Sequence, residues 1–417
     1  MTSTSLELTH TSAPRPGGAP SHAAPAAARA VLGMLPRLKH GVLDLHLPDG
    51  SRTSFGEGAL SASLRIGHWG AFRRILSSGD IGFAEGYIAG EWDTPDLTAL
   101  LTLFTANRDE LHRAVYGTWW GSLWYRVKHA LNRNSRRGSA KNIHAHYDLG
   151  NAFYAKWLDS SMSYSSAWFE NDPDRPLRTA QHAKVRRALQ QAGVASGSRV
   201  LEIGCGWGGL MEAAARDFGA HVTGVTLSRE QLEGARQRLA AAGVAANCEL
   251  RLQDYRDLAA EYETRPFDAI VSIEMFEAVG REYWDSYFDT LRRCLKPGGR
   301  ACIQSITIRD DLFDRYLRST DFIQQYIFPG GLLPSVAQFE AQARRFGFQV
   351  ERSLAFGLDY AETLRRWRSE FLKGAPQVRE LGFDERFMRI WQFYLAYCEA
   401  AFMQRNTDVV QFTLRRD

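Results

Sequence analysis

The sequence predicts an α/β fold in which a doubly wound parallel sheet carries helices on both faces. Short apolar runs that are typical of buried strands alternate with helical patterns through the second half of the chain. One such run, residues 199–203, ends in a glycine-rich turn, and a helical pattern begins directly after it at Leu210. A strand, a glycine turn and a helix together form the crevice in which such sheets bind nucleotide-like ligands.

Composition and charge limit the class of protein. The 417 residues can form two or three domains, and a formal net charge of +4 is too small to indicate a partner by itself. No apolar run approaches the roughly 18 residues that a membrane-spanning helix needs. The five cysteines form no Cys-x-x-Cys pair, so no metal site is expected. Because no secretion signal is evident at the N-terminus, we expect a cytoplasmic protein with reduced thiols.

Composition divides the chain into four segments. Residues 1–30 are rich in Ala, Ser, Thr and Pro without periodicity, so we expect a disordered tail. A small α+β domain is expected at 31–125, a basic linker at 126–141 and the domain with the glycine-rich turn at 142–417. In the small domain the patterns predict strands at 42–47 and 61–66 and helices at 69–76 and 96–104.

Two segments outside the sheet domain are candidates for binding surfaces. Residues 82–93 mix aromatic residues with glycines, which fits either a packing corner or a surface for lipid or for a second subunit of a homodimer. Residues 126–141 contain many bases and no acid, and Trp119, Trp120 and Trp124 lie just upstream. This combination favours an anionic membrane surface, where each base adds about 1 kcal/mol, although a solvated linker is the alternative. No nucleic acid is expected, because no recognition motif accompanies the bases.

In the sheet domain, strands and helices alternate in the predicted order. The strands are predicted at 199–203, 220–227, 248–252, 267–273 and 300–308, and further helices at 178–193, 228–242 and 283–295. Ser228 is a suitable N-cap for the second of these helices, and the Lys-Pro-Gly-Gly stretch at 296–299 ends the third. From about residue 310 the pattern is mostly helical and aromatic, which we expect to form a lid or the wall of a substrate pocket.

The glycine-rich turn has a distinctive spacing. Glu202, Gly204, Gly206 and Gly208 occupy every second position, unlike the Gly-x-Gly-x-x-Gly fingerprint of dinucleotide-binding folds. The pattern resembles the first motif of class I S-adenosylmethionine methyltransferases. That resemblance implies that the glycines lie beside the amino-acid end of the ligand and that Glu202 helps to recognise its ammonium group. The alternative is a glycine turn that only changes the direction of the chain.

Further motifs, in their order along the chain, resemble a single family. They are the segments 146–151, 164–168, 253–257, 275–280, 326–335 and 356–360. Together they resemble the cyclopropane-fatty-acyl-phospholipid synthases and the related mycolic-acid and fatty-acid C-methyltransferases over residues 142–415. The resemblance implies a class I methyltransferase sheet with helical lid insertions. It also implies an enzyme that modifies the unsaturated acyl chain of a membrane phospholipid.

The resemblance implies a mechanism as well. The alkene attacks the sulfonium methyl group and leaves a carbocation on the neighbouring carbon, and loss of a proton from the new methyl closes a cyclopropane. A hydride shift before that loss gives a methylene- or methyl-branched chain instead, and a reductase partner could finish a methylene product. The cation requires a water-excluding, aromatic-walled pocket and a base. The family uses a bound bicarbonate ion as that base.

Residues for the bicarbonate site can be carried over from the family pattern. Glu277 and Tyr360 match two side chains that hold the ion, and Ile306 matches the position that contributes its backbone. Ser166 stands where the family has a cysteine, and Gln304 stands where it has a histidine. Because Ser and Gln can still donate hydrogen bonds to an anion, the prediction of bicarbonate is weakened but not excluded.

Two other departures bear on the product. Ala278 stands where the family has the histidine of a Phe-Glu-His-Val-Gly motif, and an acid, Glu274, precedes Met275. Glu274 is either an orienting group or a local charge partner. The combination of residues 273–275 with 303–304 is more similar to the fatty-acid methyltransferases that make branched chains. Ring closure and branching therefore both stay open.

The same resemblance assigns the contacts of S-adenosylmethionine. At the methionine end the expected contacts are Tyr164, Ser165, Glu202, Gly204 and Gly206, and at the ribose and adenine they are Thr226, Leu227, Gln231, Asp254, Tyr255 and Ile273. Gln231 is expected to hold the ribose hydroxyls, because Thr226 stands where many methyltransferases carry an acid.

Two other classes of function fit parts of the sequence. The glycine motif alone would suit an N- or O-methyltransferase of a soluble small molecule, and Ser166 with Gln304 would suit a non-catalytic binder of lipid or S-adenosylmethionine. The basic-aromatic segment and residues 328–331 favour the lipid enzyme over the soluble-substrate enzyme. We therefore expect a protein that associates peripherally with a membrane.

Overall fold

The structure is a computed structural model that describes residues 24–115 and 149–417. Contacts between residues divide the chain into two units, Met1–Thr118 and Trp119–Asp417. Some predicted features lie outside the described residues, namely the tail up to residue 23, the basic segment 126–141 with its upstream tryptophans, and the motif residues 146–148.

The first unit contains a small mixed sheet with helices. Its strands are β1 (Val42–His46), β2 (Arg52–Phe55), β3 (Ser61–Ile66) and β4 (Trp92–Asp93), and its helices are Ala26–Leu32, Gly70–Ile88, Leu97–Ala106 and Arg108–Val115. The strand order is β2-β1-β3-β4, and β1 pairs in parallel with β3. Leu43 and Leu45 of β1 are buried, whereas their neighbours are only partly covered, as a period-two pattern predicts.

Two boundaries in the first unit differ from the prediction. Residues 26–30, which were assigned to a disordered tail, are helical, because one face of that short helix is buried. The helix predicted at 69–76 is followed, after a kink at Gly79, by a second helical stretch up to Ile88, so much of the aromatic and glycine-rich stretch is helical. Within that stretch Phe83 stacks on Trp92 with the ring centroids 4.1 Å apart, which is the packing-corner arrangement.

The second unit is built on a seven-stranded sheet. Its strands are β5 (Arg199–Ile203), β6 (His221–Thr226), β7 (Cys248–Leu252), β8 (Phe267–Ile273), β9 (Leu295–Ile308), β10 (Phe348–Ala355) and β11 (Thr407–Arg416), in the order β10-β11-β9-β8-β5-β6-β7. Neighbouring strands among β5 to β9 are parallel, whereas β11 is antiparallel to both β9 and β10. The predicted doubly wound α/β class is confirmed for the parallel part of the sheet.

Apolar cores cover both faces of this sheet. Val200 and Leu201 are successive residues of β5, and they belong to two different buried clusters because neighbouring side chains of a strand point to opposite faces. The helices of this unit are Asn151–Tyr154, Leu177–Gln191, Gly209–Phe218, Arg229–Ala241, Leu258–Tyr262, Trp284–Cys294, Asp310–Tyr316, Phe322–Tyr326, Val336–Arg345, Gly357–Lys373, Ala375–Glu380 and Glu385–Met403. Ser228 caps the helix that follows it, as predicted, by accepting a hydrogen bond from the backbone of Gln231.

The mostly helical pattern predicted after residue 310 omitted two strands. β10 lies at the edge of the sheet and is largely exposed, so it lacks a clear apolar alternation. β11 is buried on both faces along residues 409–414, so it shows no alternation either. β9 is also longer than predicted, since it starts at Leu295 rather than at Arg300.

The register of three strands positions the site. Gln304 of β9 stands beside Ile273 at the end of β8 and beside Gln411 of β11. The residue after β8, Glu274, donates its backbone N–H to the carbonyl of Gln304 over 2.8 Å. Side chains from distant parts of the chain therefore meet beside the C-terminal end of β8. In the described ranges no helix is both long enough and apolar enough to cross a membrane.

Candidate active site

A cavity of about 170 Å³ lies at the C-terminal ends of β5, β6 and β8. Except for Asp254, the residues predicted to contact S-adenosylmethionine line it: Tyr164, Ser165, Glu202, Gly204, Gly206, Thr226, Leu227, Gln231, Tyr255 and Ile273. The carboxylate of Asp254 instead pairs with Arg256, whose Nη2 is 2.5 Å from Oδ2. The position of the cavity is the one that doubly wound sheets use for ligands.

The glycine turn gives the cavity its floor. Gly204, Gly206 and Gly208 have φ values of +84°, +51° and +78°, a region that residues with a side chain rarely adopt. A Cβ atom at Gly204 would lie 2.9 Å from Cγ of Met275, so a larger residue does not fit there. A Cβ atom at Gly206 would have no described atom within 4 Å, which is consistent with space kept free for a ligand.

Glu202 presents a buried oxygen to this space. Its Oε2 atom is buried and has no hydrogen-bond partner among the described residues. Burial raises the pKa of the Glu202 carboxyl well above its usual range. A buried acid with an unsatisfied oxygen is stabilised by a cationic donor, and S-adenosylmethionine carries such a donor in its ammonium group. The residues present therefore fit the amino-acid end of that ligand.

The adjoining wall of the cavity is held by a local hydrogen-bond network. Thr226 Oγ1 donates to Oε1 of Gln231 over 3.0 Å, and it accepts from the backbone N–H of Ser228 over 3.1 Å. The Gln231 amide is therefore held in one orientation at the end of β6. Its predicted contact with the ribose hydroxyls is compatible with that geometry and stays a prediction.

Aromatic rings enclose the cavity beside Tyr164. The ring of Tyr164 lies 5.4 Å from that of Tyr154, 5.5 Å from that of Trp157 and 5.5 Å from that of Trp367. Its hydroxyl is 2.7 Å from the hydroxyl of Tyr394. Tyr154, Trp157 and Trp367 are almost completely buried. The packing excludes water from the region behind Tyr164, whose own ring lines the cavity.

Three of the residues predicted to hold bicarbonate, Ser166, Gln304 and Tyr360, converge on the carboxylate of Glu274. The backbone N–H of Ser166 donates to Glu274 Oε1 over 2.9 Å, and Gln304 Nε2 donates to the same oxygen over 2.7 Å. The Tyr360 hydroxyl donates to Glu274 Oε2 over 2.8 Å. The contribution of Ser166 comes from its backbone, since its own hydroxyl donates to the carbonyl of Ala167. Glu274 therefore lies at the centre of these three donors, and the nearby Lys184 ammonium is a charge partner for it.

A second buried carboxyl, that of Glu277, lies next to the first. Its Oε1 accepts hydrogen bonds from the backbone N–H of Ile306 and from the Ser305 hydroxyl, the latter over 3.1 Å. The motif at 326–335 supports this turn, because the N–H of Leu332 donates to the Glu277 carbonyl over 2.8 Å. Burial, together with the neighbouring Glu274, raises the pKa of Glu277 to about 8. At neutral pH Glu277 therefore keeps its proton.

Two buried polar residues of the site were not identified from the sequence. Lys184 lines the cavity and donates from Nζ to the Ser165 hydroxyl over 2.6 Å, and burial lowers the pKa of its ammonium to about 8. Gln411 donates from Nε2 to Gln304 Oε1 over 2.9 Å, which orients the Gln304 amide so that its NH₂ group faces Glu274. The only signal available for Gln411 was a long polar side chain within the mostly apolar run 409–414.

Comparisons with known proteins identify relatives of this chain. The family model for mycolic acid cyclopropane synthetase matches residues 134–412. Tuberculostearic acid methyltransferase UfaA1 of Mycobacterium tuberculosis is 43% identical over 354 residues, which is 83% of this chain and 81% of that protein. Cyclopropane-fatty-acyl-phospholipid synthase of Escherichia coli is 34% identical over 359 residues, 86% of this chain and 89% of that protein.

A solved structure shows the same resemblance. Mycolic acid cyclopropane synthase CmaA1, complexed with SAH and CTAB, superposes with a TM-score of 0.61 at 33% identity. The superposition covers 66% of this chain and 98% of that one. The residues matched by the family model fall within the sheet unit that contains the cavity.

Proposed function

Because the chain belongs to the mycolic acid cyclopropane synthetase family, we propose that it adds a carbon from S-adenosylmethionine to the double bond of an unsaturated phospholipid acyl chain. The observation that carries this proposal is the placement of Glu274 in the wall of the same cavity as Glu202 and the glycine turn. A buried carboxylate thus lies next to the site of the methyl donor. An N- or O-methyltransferase of a soluble compound would not require such a water-excluding arrangement.

S-adenosylmethionine, when bound, supplies an electrophilic methyl group. The residues of this chain hold and shield it. Glu202 pairs with the ammonium group, the glycine turn admits the amino-acid end, and Gln231 faces the ribose. Tyr164 covers the methionine end from the aromatic side of the cavity. Fixing the donor in this way makes the transfer effectively intramolecular for an alkene that lies against it.

The aromatic wall serves the cation that forms on the acyl chain. Tyr360 lies with its ring centroid 4.5 Å from that of Phe402 and 6.1 Å from that of Trp367, so the wall continues from the donor site towards Glu274. Aromatic faces stabilise a nearby positive charge, and the exclusion of water prevents its capture as an alcohol. Loss of a proton from the new methyl group then gives either a ring or, after a hydride shift, a methylene branch.

The substrate implies contact with a membrane. A phospholipid acyl chain must leave the bilayer to reach a buried cavity, and a basic segment rich in nearby aromatics, such as 126–141, would hold the enzyme at an anionic surface. This peripheral association is part of the proposal. A methylene product would additionally need a separate reductase to become a methyl branch.

The test uses the full chain with S-adenosylmethionine and liposomes of a monounsaturated phospholipid. The acyl chains are extracted and examined by proton NMR, because ring and methylene products have the same mass. Far-upfield cyclopropane signals or vinylidene signals support the proposed function and identify which outcome this chain gives. Unmodified acyl chains in the presence of bound S-adenosylmethionine would contradict it and favour a non-catalytic binder.

A flotation experiment separates the lipid enzyme from a soluble-substrate enzyme. The full chain should rise with liposomes that contain anionic phospholipid and remain at the bottom of the gradient with purely zwitterionic ones at high salt. A chain that never floats would contradict the membrane part of the proposal.

A further inference from the structure

Bicarbonate, which the family resemblance implies as the base, does not fit the residues that are present here. The residues expected to hold it are Glu277, Tyr360, Ser166, Gln304 and, through its backbone, Ile306. The hydrogen-bond donors that these residues present here are the backbone N–H groups of Ser166 and Ile306 and the side chains of Gln304 and Tyr360. Those of Ser166, Gln304 and Tyr360 end on Glu274, and that of Ile306 ends on Glu277. A bicarbonate ion at this site would have none of these donors available, because each already donates to a carboxyl group of the protein.

The charges of the neighbouring side chains also disfavour a bound bicarbonate ion. Glu274 and Glu277 are both partly buried, and the Lys184 ammonium acts on Glu274 from the same cavity wall. A further anion would have to be desolvated beside the Glu274 carboxylate, and burying an uncompensated charge is strongly unfavourable. The Glu274 carboxylate therefore has its hydrogen bonds and a nearby cation without an added base, although Oε2 of Glu277 has no partner among the described residues.

We propose that the carboxylate of Glu274 takes the place of bicarbonate and is itself the base of the reaction, an inference that rests on the proposed function. The π electrons of the alkene form the new bond to the methyl carbon, and the sulfur keeps the electron pair of the bond that breaks. The cation then loses one proton to Glu274, and the C–H electron pair forms either the ring bond or the methylene double bond. The resulting carboxylic acid returns its proton to solvent once in each turnover.

The backbone of Glu274 supports a functional role. It has a φ of +49°, in the left-handed region that residues other than glycine avoid, and it follows Ile273 directly at the end of β8. Strained backbone of this kind persists where the surrounding structure holds it, and it is concentrated at active sites. Here the conformation turns the side chain towards the donors from three separate segments and keeps it on the cavity wall.

The neighbouring groups favour the ionised form of Glu274 over that of Glu277. Burial raises the pKa of Glu274, but Lys184 and the donors Ser166, Tyr360 and Gln304 oppose that rise. Glu277 has no such cation, and its pKa is raised to about 8 by burial and by the charge of Glu274. Of the two groups, Glu274 is therefore the one whose surroundings favour the carboxylate, and Glu277 the one whose surroundings favour the acid.

Two substitutions of Glu274 are expected to respond differently to added bicarbonate. Glu274→Gln keeps the shape of the side chain and removes the charge, so bicarbonate has no room to replace it. Glu274→Gly empties the space and relieves the left-handed backbone, so bicarbonate can enter and reach the freed donors. The exposed Glu282→Gln is the matched control, because it removes an acid from the same loop region without touching the cavity.

The experiment measures product formation by full-length protein in buffer freed of carbon dioxide, with and without added sodium bicarbonate. We expect the wild type and Glu282→Gln to be active in both conditions. Glu274→Gln should lose activity by about 10² to 10⁴-fold in both, which is the usual contribution of a general base. Glu274→Gly should be equally impaired without bicarbonate and recover by about tenfold or more when it is added.

Two results would overturn the inference. One is a wild type that loses activity without bicarbonate and regains it on addition, and the other is a folded Glu274→Gln variant that remains active. Thermal unfolding and calorimetric binding of S-adenosylhomocysteine establish that each variant is folded and has an intact donor site. Absence of product from the wild type in every buffer would refute the proposed function, and this inference with it.

Discussion

The two ends of the cavity contain buried carboxyl groups in different surroundings. At the donor end, Glu202 has a buried oxygen without a partner among the described residues. At the acceptor end, both oxygens of Glu274 accept hydrogen bonds from Ser166, Gln304 and Tyr360. The first arrangement is completed by a ligand that brings a cation, whereas the second is complete before any ligand arrives. The comparison predicts that one acid serves binding and the other serves chemistry.

The largest expected effect comes from the acceptor end. Glu274→Gln should lower kcat by about 10² to 10⁴-fold, because the proton of the cation loses its acceptor. The Kd for S-adenosylmethionine should stay close to that of the wild type, since the donor end is untouched. Steady-state kinetics with liposomes and calorimetry measure the two quantities. If Glu274→Gln lowers both kcat and the affinity for S-adenosylmethionine, the two ends of the cavity do not have separate roles.

A smaller effect, of a different kind, is expected at the donor end. Glu202→Gln should weaken S-adenosylmethionine binding by about 10- to 100-fold, because a hydrogen bond to a charged group contributes about 1.5–3 kcal/mol. At saturating donor concentration kcat should largely recover. Glu282→Gln again provides the control. If Glu202→Gln binds the donor as well as the wild type does, the unpartnered oxygen has another purpose.

The third effect tests how the acceptor end is oriented. Gln411→Met keeps the size of the side chain but removes the donor that orients the Gln304 amide, which is a loss of about 1–2 kcal/mol and about tenfold in kcat. Donor binding should not change, which distinguishes a positioning role from general damage to the fold. Gln349→Met, at an exposed site on the edge strand β10, is the matched control. Equal kcat values for the two variants would contradict the assigned role of Gln411.

The smallest effect concerns stability and pH. Because the pKa of Glu277 is raised to about 8 in the folded protein, its stabilising contribution is complete below pH 4.5 and is lost as the pH rises towards 8. Glu277→Gln removes that dependence. The Tm of the variant minus that of the wild type should therefore increase between pH 5 and pH 9. The measurement is thermal unfolding of both proteins across this range. A constant difference in Tm would show that Glu277 does not hold a proton at neutral pH.

The sequence predicted what depends on local pattern. The strands at 248–252 and 267–273 have the predicted bounds, because each is a short run between clear turn signals. The glycine turn followed from its spacing, and the residues lining the donor end, except Asp254, followed from the resemblance to a methyltransferase family. The edge strand β10 and the doubly buried β11 escaped prediction, because neither presents the alternation by which strands are identified.

The arrangement at the acceptor end could not be predicted, because it depends on contacts between distant parts of the chain. Glu274 receives hydrogen bonds from Ser166, 108 positions away, and from Tyr360, 86 positions away. From the sequence Glu274 was only an orienting group or a charge partner. Its left-handed backbone and the register of β8 with β9 decide where the carboxylate lies, and neither is visible in residue order.

The central claim is that this chain transfers a carbon to a lipid alkene with a base of its own. The most direct test supplies S-adenosylmethionine labelled with ¹³C in the methyl group, together with monounsaturated phospholipid liposomes, in buffer freed of carbon dioxide. Carbon NMR of the extracted lipid should place the label in a ring or methylene carbon of the acyl chain. Label on the headgroup, or no label until bicarbonate is added, would contradict the account.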